Sequence, residues 1–347
     1  MAAFDREAVI VAGGAGFIGY HLCKRLLAAG ARVVCIDNLQ TSLPTNIRDL
    51  LRMDRFHFVR CDITQALPKM LSAARLRYSR IYNLACAASP PQYQIDPEHT
   101  MLTNVVGTSH LLRLAERSGA RFLLTSTSEV YGDPEQHPQR EDYRGWVSCT
   151  GPRACYDEGK RAAEAMTFDY VRQARGEARV ARIFNTYGPR MHPQDGRVVS
   201  NIINQALAGD EITIYGDGSQ TRSFCYVEDM VDGLIGLMES EGPIEAINLG
   251  NPDERSINEL LEVIVQMTET RARVVNKPLP VDDPRRRRPD IARATAVLGW
   301  TPKVDLWDGL AATCDWFGRE FDARPRRHGS AANDGHLVRA RALARAV

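Results

Sequence analysis

A short apolar run, Ala8–Ala12, passes without a spacer into Gly13-Gly14-Ala15-Gly16-Phe17-Ile18-Gly19. Beyond it, Ile18, Leu22 and Leu26 recur at spacing four. The run reads as a buried strand and Phe17–Ala29 as an amphipathic helix. Glycines at 13, 16 and 19 permit a tight turn, close backbone approach to a pyrophosphate, and close packing of helix on strand. The helix start, at Phe17 and Ile18, offers free N–H groups and a partial positive charge to phosphates. Alone, such a triplet is an ordinary turn; its setting is what carries weight. A second strand run, Arg32–Ile36, ends at Asp37-Asn38, about 20 residues further on. A carboxylate there accepts hydrogen bonds from both ribose hydroxyls and repels a 2′-phosphate, favouring NAD over NADP.

The same strand–helix alternation continues through Phe56–Arg60, Arg80–Leu84, Phe122–Ser126 and Arg179–Ile183. It predicts an α/β fold, a Rossmann-type doubly wound parallel sheet covered on both faces by helices, over residues 1–185. After Gly188 the chain turns to Gly-, Asp- and Pro-rich loops with helical candidates at Val198–Ala208, Val227–Glu239 and Ile257–Thr268. Residues 186–322 are expected to form a smaller C-terminal lobe whose segments can interleave with the sheet. The stretch 323–347 is Arg- and Ala-rich with few large apolar residues, which suits a frayed or disordered end better than a functional helix.

Lys plus Arg (44) balances Asp plus Glu (43) over 347 residues, so no global field points to nucleic acid or a membrane surface. No apolar run reaches the roughly 20 residues that span a bilayer. Asp5, Arg6 and Glu7 interrupt the start of the chain, against a signal segment. Eight cysteines without a C-x-x-C pair read as reduced thiols in a cytoplasmic protein, with no metal site.

Two further clusters carry chemistry. Tyr156 and Lys160 stand at i and i+4 on one face of a helix starting near Pro152. A tyrosine, with a pKa near 10, is a poor base at neutral pH; an ammonium one turn away and a positive nicotinamide would favour its phenolate. Upstream, Thr127-Ser128-Glu129 follows a strand, and ligands in open α/β sheets bind beyond strand C-termini. Thr127 could share the proton of a substrate hydroxyl and Glu129 could act as a positioned carboxylate; read alone, the run is equally a Ser/Thr cap. Likewise Asp62-Ile63 reads as an adenine contact or as a plain strand-end turn.

Together these residues resemble the extended short-chain dehydrogenase/reductase family, and within it the UDP-glucuronate decarboxylases. The likeness runs from about Ala8 to Phe321 through Gly13–Gly19, Ser126–Pro134, Gly151–Arg161, Ala181–Met191, Gly196–Asn201, Gly218–Phe224, Asn248–Pro252, Arg287–Ile291 and Leu298–Pro302. The resemblance implies Thr127, Ser128, Glu129, Tyr156, Lys160 and Arg222 as the catalytic set. It implies Gly13, Gly16, Phe17, Ile18, Gly19, Asp37, Asn38, Asp62, Ile63, Leu84, Ala85, Thr103, Tyr156, Lys160 and Thr186 around NAD. For the UDP-sugar substrate it implies Tyr93, Asn185, Arg197, Val198, Tyr215, Arg222 and Arg287. Without the family, Arg285–Arg288 is a solvated charge run, and the choice between Arg287 and Arg288 is one of register. A homodimer through helices near Pro97–Ser118 and Arg153–Arg175 is a further family expectation; the same helices suit simple core packing.

The implied reaction is oxidation at C4 of the sugar, loss of C6 as carbon dioxide, and re-reduction to a UDP-pentose. The sibling 4,6-dehydratases carry Asp where this chain has Ser128, and a neutral hydroxyl does not serve as the acid for water loss. Departures from the decarboxylases are Asn83–Ser89 in place of His-Leu-Ala-Ser-Pro-Ala-Ser, Leu102 in place of a Lys, and Ser148-Cys149 in place of Asn-Pro. A decarboxylase stopping at the 4-keto pentose, a 4-epimerase, a 4,6-dehydratase and a non-catalytic NAD-binding protein are the competing readings.

Overall fold

A computed structural model describes residues 8–72, 77–279 and 286–322. The Arg/Ala-rich stretch from Ala323, together with Asp282, Asp283 and Arg285, lies outside the described residues. Strands form at β1 (Ala8–Ala12), β2 (Arg32–Asp37), β3 (Phe56–Arg60), β4 (Tyr78–Asn83), β5 (Arg121–Thr127) and β6 (Ala178–Ile183). A further strand, Ala246–Leu249, pairs with β6 at the sheet edge. The order from that edge is Ala246–Leu249, β6, β5, β4, β1, β2, β3, with every pair parallel. Strand order reverses between β1 and β4, which opens a crevice beyond their C-terminal ends.

Because side chains alternate along a strand, each strand feeds two cores. From β1, Val9 and Val11 pack with Leu22 and Leu26 of α1 (Phe17–Ala28). On the other side Ile10 and Ala12 join the core that holds Leu111, Leu114 and Ala163. Those come from a broken helical run and a long helix: α2 (Pro90–Tyr93), α3 (Pro97–Leu102), a π turn at Thr103–Gly107, α4 (Thr108–Ser118), and α5 (Ala154–Arg172). A π turn widens the helix by one residue per turn and is a frequent companion of functional sites. It places Thr103 toward the crevice and lets Asn104 pack on Gly159 of α5.

The rest of the chain alternates between sheet and lobe. In the lobe, α6 (Val198–Ala208) bears Ile202 and Ile203 into a third core. Next, α7 (Val227–Glu239) returns to the sheet, covering the α1 face with Met230 and Leu234 and leading into the edge strand. In the lobe again, α8 (Ile257–Thr268) starts with a capping box between Ser256 and Glu259. Then α9 (Ala292–Leu298) packs near the edge strand, and α10 (Leu306–Asp322) closes the lobe against α8 and α6. The lobe's short strands pair Ile212–Tyr215 with Val274–Lys277 and Thr221–Ser223 with Glu254–Ser256.

Backbone packs closely on the glycine loop. A Cβ on Gly19 would fall 2.1 Å from the Gly13 carbonyl oxygen, and one on Gly13, at φ +75°, 2.7 Å from the Leu84 carbonyl carbon. Backbone atoms on both sides leave nothing flexible to yield. The substitution Gly19→Ala is expected to destabilise the protein by about 1–3 kcal/mol through overpacking, despite alanine's better helix propensity. A lowered urea midpoint at unchanged m-value is the checking measurement; an unchanged midpoint means the loop relaxes at no cost.

Candidate active site

The crevice holds two contiguous cavities that share Gly13, Gly16 and Leu84. One is walled by Asp37, Asn38, Asp62, Ile63, Ala85 and Thr103. The other is walled by Phe17, Ile18, Gly19, Tyr156, Lys160 and Arg197. Asp37 accepts from Ala15 N (3.1 Å), Leu39 N (2.8 Å) and the Ser42 hydroxyl (3.3 Å), which ties the end of β2 to the glycine loop. Burial raises its pKa, and those three donors work against the rise.

Asp62 is more fully engaged. Oδ1 accepts Thr64 N (2.9 Å) and Oγ1 (2.8 Å), while Oδ2 takes Asn38 Nδ2 (3.1 Å) and faces His99 Nε2 (2.7 Å). Burial alone would raise its pKa, but these bonds outweigh it and hold the carboxyl at about 2. Asp62 makes a strand-end turn and also lines the cavity. A dinucleotide fits this cradle, with glycines where a Cβ would strike backbone and a carboxylate at the end of β2. Of the residues expected around NAD, Thr186 alone lines neither cavity; its hydroxyl donates to the Phe184 carbonyl (3.0 Å) inside a strand pair with Cys225.

Tyr156 and Lys160 face the second cavity from α5, both nearly sealed. The Tyr156 ring stacks on Tyr93, centroids 5.0 Å apart and planes 5° from parallel. Its phenol shares a hydrogen bond with the Thr127 side chain. Thr127 Oγ1 also accepts the Glu129 N–H (3.2 Å), so the cap and the hydroxyl beside the phenol are the same group. Lys160 stands one turn along α5 and lines the same cavity, as the spacing places it. Its ammonium donates to the Thr125 carbonyl (2.9 Å) and lies 5.9 Å from the phenol ring's centre. Burial first, then Cys86 and Glu129, push the Tyr156 pKa up, against Thr127 and Arg197. From the protein's own groups the balance is thus upward, because burial outweighs the charges. Burial lowers the Lys160 pKa as well.

Behind the phenol, Glu129 is gripped by two guanidinium groups. Arg287 Nη1 lies 2.7 Å from Oε1 and Nη2 2.7 Å from Oε2, and Arg153 also donates to Oε2. Arg287, rather than Arg288, reaches the carboxylate; Arg288 instead donates its backbone N–H to Gln139 Oε1 (2.8 Å). Arg153 and a neighbouring acid, Asp157, were not among the sequence candidates. Both sit inside the Gly151–Arg161 stretch at i, i+4 spacing, yet such a pair looks like any solvated ion pair on a helix. In the fold they are buried.

Other expected substrate residues spread over the lobe side. Arg197 stands at the start of α6 beside Val198, and Arg222 is buried with Nη1 on the Thr221 carbonyl (2.8 Å). Asn185 accepts the Cys225 N–H (2.9 Å) on its backbone carbonyl, and Tyr215 is exposed. Of these five and Tyr93, Arg197 alone lines either of the two cavities. Ser128 is buried between Thr127 and Glu129. Leu102, at the end of α3, is exposed and lines neither cavity. No cluster of metal-ligating side chains occurs among the described residues.

Comparison with known proteins agrees with this geometry. The NAD dependent epimerase/dehydratase family matches residues 9–250. The chain is 48% identical over 318 residues to UDP-glucuronic acid decarboxylase 1 of Danio rerio, covering 92% of this chain and 74% of that one. It is 51% identical over 305 residues to UDP-glucuronic acid decarboxylase 3 of Arabidopsis thaliana, covering 87% and 86%. Among solved structures, UDP-glucuronic acid 4-epimerase from Bacillus cereus, in complex with UDP-glucuronic acid and NAD, superposes with a TM-score of 0.81 at 29% identity, covering 90% of this chain and 99% of that one. A doubly wound sheet, a glycine cradle and a family match over most of the chain meet in one conclusion: the protein belongs to the NAD dependent epimerase/dehydratase family, the extended short-chain dehydrogenases/reductases.

Proposed function

We propose that the protein is a UDP-glucuronate decarboxylase, releasing C6 as carbon dioxide and returning UDP-xylose. The observation that carries this reading is the identity of about half of all residues with UDP-glucuronic acid decarboxylases over most of the chain. Ser128 supports it: a buried neutral hydroxyl stands where water loss from C6 would need an acid. The glycine cradle, Asp37 and the Asp62–Ile63 wall would hold NAD, which would supply hydride removal from C4 and its return.

Tyr156 Oη, backed by the Thr127 hydroxyl, takes the proton of the C4 hydroxyl. With C4 a ketone, the C6 carboxylate is β to it, so carbon dioxide leaves and its bonding electrons delocalise over C5, C4 and the C4 oxygen. C5 then takes up a proton from solvent, relayed through Glu129, whose carboxylate Arg153 and Arg287 hold in place. Tyr156 returns its proton to the C4 oxygen as the alcohol re-forms. Lys160, Arg222, Arg197, Val198, Asn185, Tyr215 and Thr186 complete the proposed binding set around cofactor and UDP-sugar.

A second copy of the chain is the proposed partner, docked on α3 and α5. Exposed Ile95 and Leu102 flank that face, and Leu102 in place of lysine makes it more apolar. All eight cysteines are free, which suits the reducing cytoplasm. No helix of the described residues is long and apolar enough to cross a membrane.

Incubation with UDP-glucuronate and NAD is expected to yield carbon dioxide and UDP-xylose in equal amounts without net NADH. A UDP-sugar retaining its carboxylate would count for a 4-epimerase, and stoichiometric NADH for release of a 4-keto pentose. Tyr156→Phe is expected to lower kcat by about 10²–10⁴ while NAD stays bound; wild-type turnover in that variant removes the assignment of the phenol. For the dimer, Ile95→Glu with Leu102→Glu is expected to shift the light-scattering mass from two chains to one.

A further inference from the structure

Between β2 and β3 the chain forms a strap, residues 41–49, along the cavity that Tyr156 and Lys160 face. Thr41, Ser42, Leu43, Thr45 and Asn46 line that cavity. Leu43, Pro44 and Thr45 are exposed and belong to none of the apolar cores, whereas Ile47 and Leu50 are buried against α1. Polar contacts at Asn46 therefore decide where the exposed part lies. Asn46 Nδ2 donates to the Ala15 carbonyl (3.1 Å), and the Ala15 N–H goes to Asp37, so side chains hold this glycine-loop residue at both polar atoms.

Arg190, from the turn after Thr186–Tyr187, grips the strap from the other side and lines the same cavity. Nη1 donates to the Asn46 carbonyl (2.7 Å) and Nη2 to Asp49 Oδ2 (3.4 Å). The guanidinium carbon stands 4.0 Å from the centre of the Tyr20 ring, whose hydroxyl donates to the same Asp49 oxygen (2.6 Å). Its backbone has φ +73°, uncommon for a residue with a Cβ. The preceding carbonyl, of Pro189, lies 2.9 Å from His21 Nε2. Thus α1 fixes the turn through His21 and the guanidinium through Tyr20.

A dinucleotide whose pyrophosphate meets the glycine loop would lie beside this strap. We propose that Arg190 is a positioning residue: it latches residues 41–49 to the glycine loop and so sets how long NAD stays bound. The proposal rests on NAD occupying the glycine cradle and is independent of which sugar is processed. Asn46, Asp49 and Tyr20 engage the guanidinium, so Arg190 acts through the strap. An exposed segment outside the cores opens at low cost unless something holds it. Weakening the latch therefore speeds release of NAD without slowing its entry.

The test measures both rates. Bound radiolabelled NAD chased with excess unlabelled NAD gives the dissociation rate. Tryptophan fluorescence on rapid mixing gives the association rate, with Trp316 in the cavity wall as reporter. In Arg190→Ala dissociation is expected to be about tenfold faster, for the loss of a hydrogen bond and a cation–π contact, with association no slower. Asn46→Ala cuts the next link and is expected to speed release as well. The double variant is expected to release NAD no faster than the quicker single variant, because the two contacts act in series. Wild-type dissociation in R190A overturns the proposal. So does an association rate that falls in R190A, which marks a distorted cavity, or a double variant whose effects multiply. Should R190A fail to fold, N46A decides: release at the wild-type rate overturns the latch. A wild-type protein that binds no NAD removes the cradle reading itself, an outcome distinct from NAD binding that is indifferent to Arg190.

Discussion

Glu129 joins three parts of the chain that are far apart in sequence. Its own turn continues from β5, Arg153 begins α5, and Arg287 comes from the lobe side. Removing one partner of a buried ion pair leaves an uncompensated charge, at a cost of about 3–5 kcal/mol. The position of any one segment is therefore bound to the other two. The segment carrying Arg287 is itself fixed from behind. Gln139 N donates to the Arg288 carbonyl (2.8 Å) and Asp290 N to the Gln139 carbonyl (2.8 Å). Asn248, on the edge strand, donates to the carbonyls of Gln139 (3.0 Å) and Asp290 (3.1 Å) and accepts the Tyr131 hydroxyl (2.7 Å). Arg182 then links Tyr131 to Glu164, which accepts the Ser126 hydroxyl (2.5 Å) one residue before Thr127. A satisfied buried network of this kind favours one arrangement over its neighbours. It runs from the sheet edge to the threonine beside the phenol.

That network explains why the short strand Ala246–Leu249 matters. Its four residues add little apolar area, but Asn248 within it is fully buried and makes its bonds only if the strand is in register. The edge of the sheet thus reaches the site through polar contacts rather than through packing.

The fold was legible where periodicity is strong. Six strand runs and the helices α1, α6, α7 and α8 stand where the sequence places them, within a residue or two. Buried parallel strands are continuous apolar runs, and amphipathic helices announce themselves by spacing. Ala246–Leu249 was not legible, because three apolar residues and an asparagine in a run of four carry no period. Tyr156, Lys160 and the glycine loop were legible because their spacing is local. Arg153 and Asp157 were not: a sequence records that an arginine and an aspartate lie four apart, but burial turns that pair from a solvated contact into part of a charged cluster. Spacing also placed Lys160 one turn away from Tyr156, but not its bond to the Thr125 carbonyl, which β5 contributes from far off in the sequence.

This last difference bears on how the phenol can act in both halves of a reaction. Burial raises the Tyr156 pKa, so in the proposed reaction a further positive charge entering the cleft would favour its acting as a base. Oxidised nicotinamide is positive and reduced nicotinamide is neutral. In the proposed reaction Tyr156 would therefore have its lowest proton affinity while the sugar is still an alcohol, when a proton must be taken. Its affinity would rise after oxidation, and the phenol would keep the proton until the C4 oxygen regains negative charge on re-reduction. Had Lys160 contacted the phenol directly, a fixed cation would hold the affinity low at both stages and weaken that alternation. In that reaction, an ammonium anchored on the Thr125 carbonyl would stay near enough to orient a ligand, yet leave the phenol to respond to the redox state of the cleft.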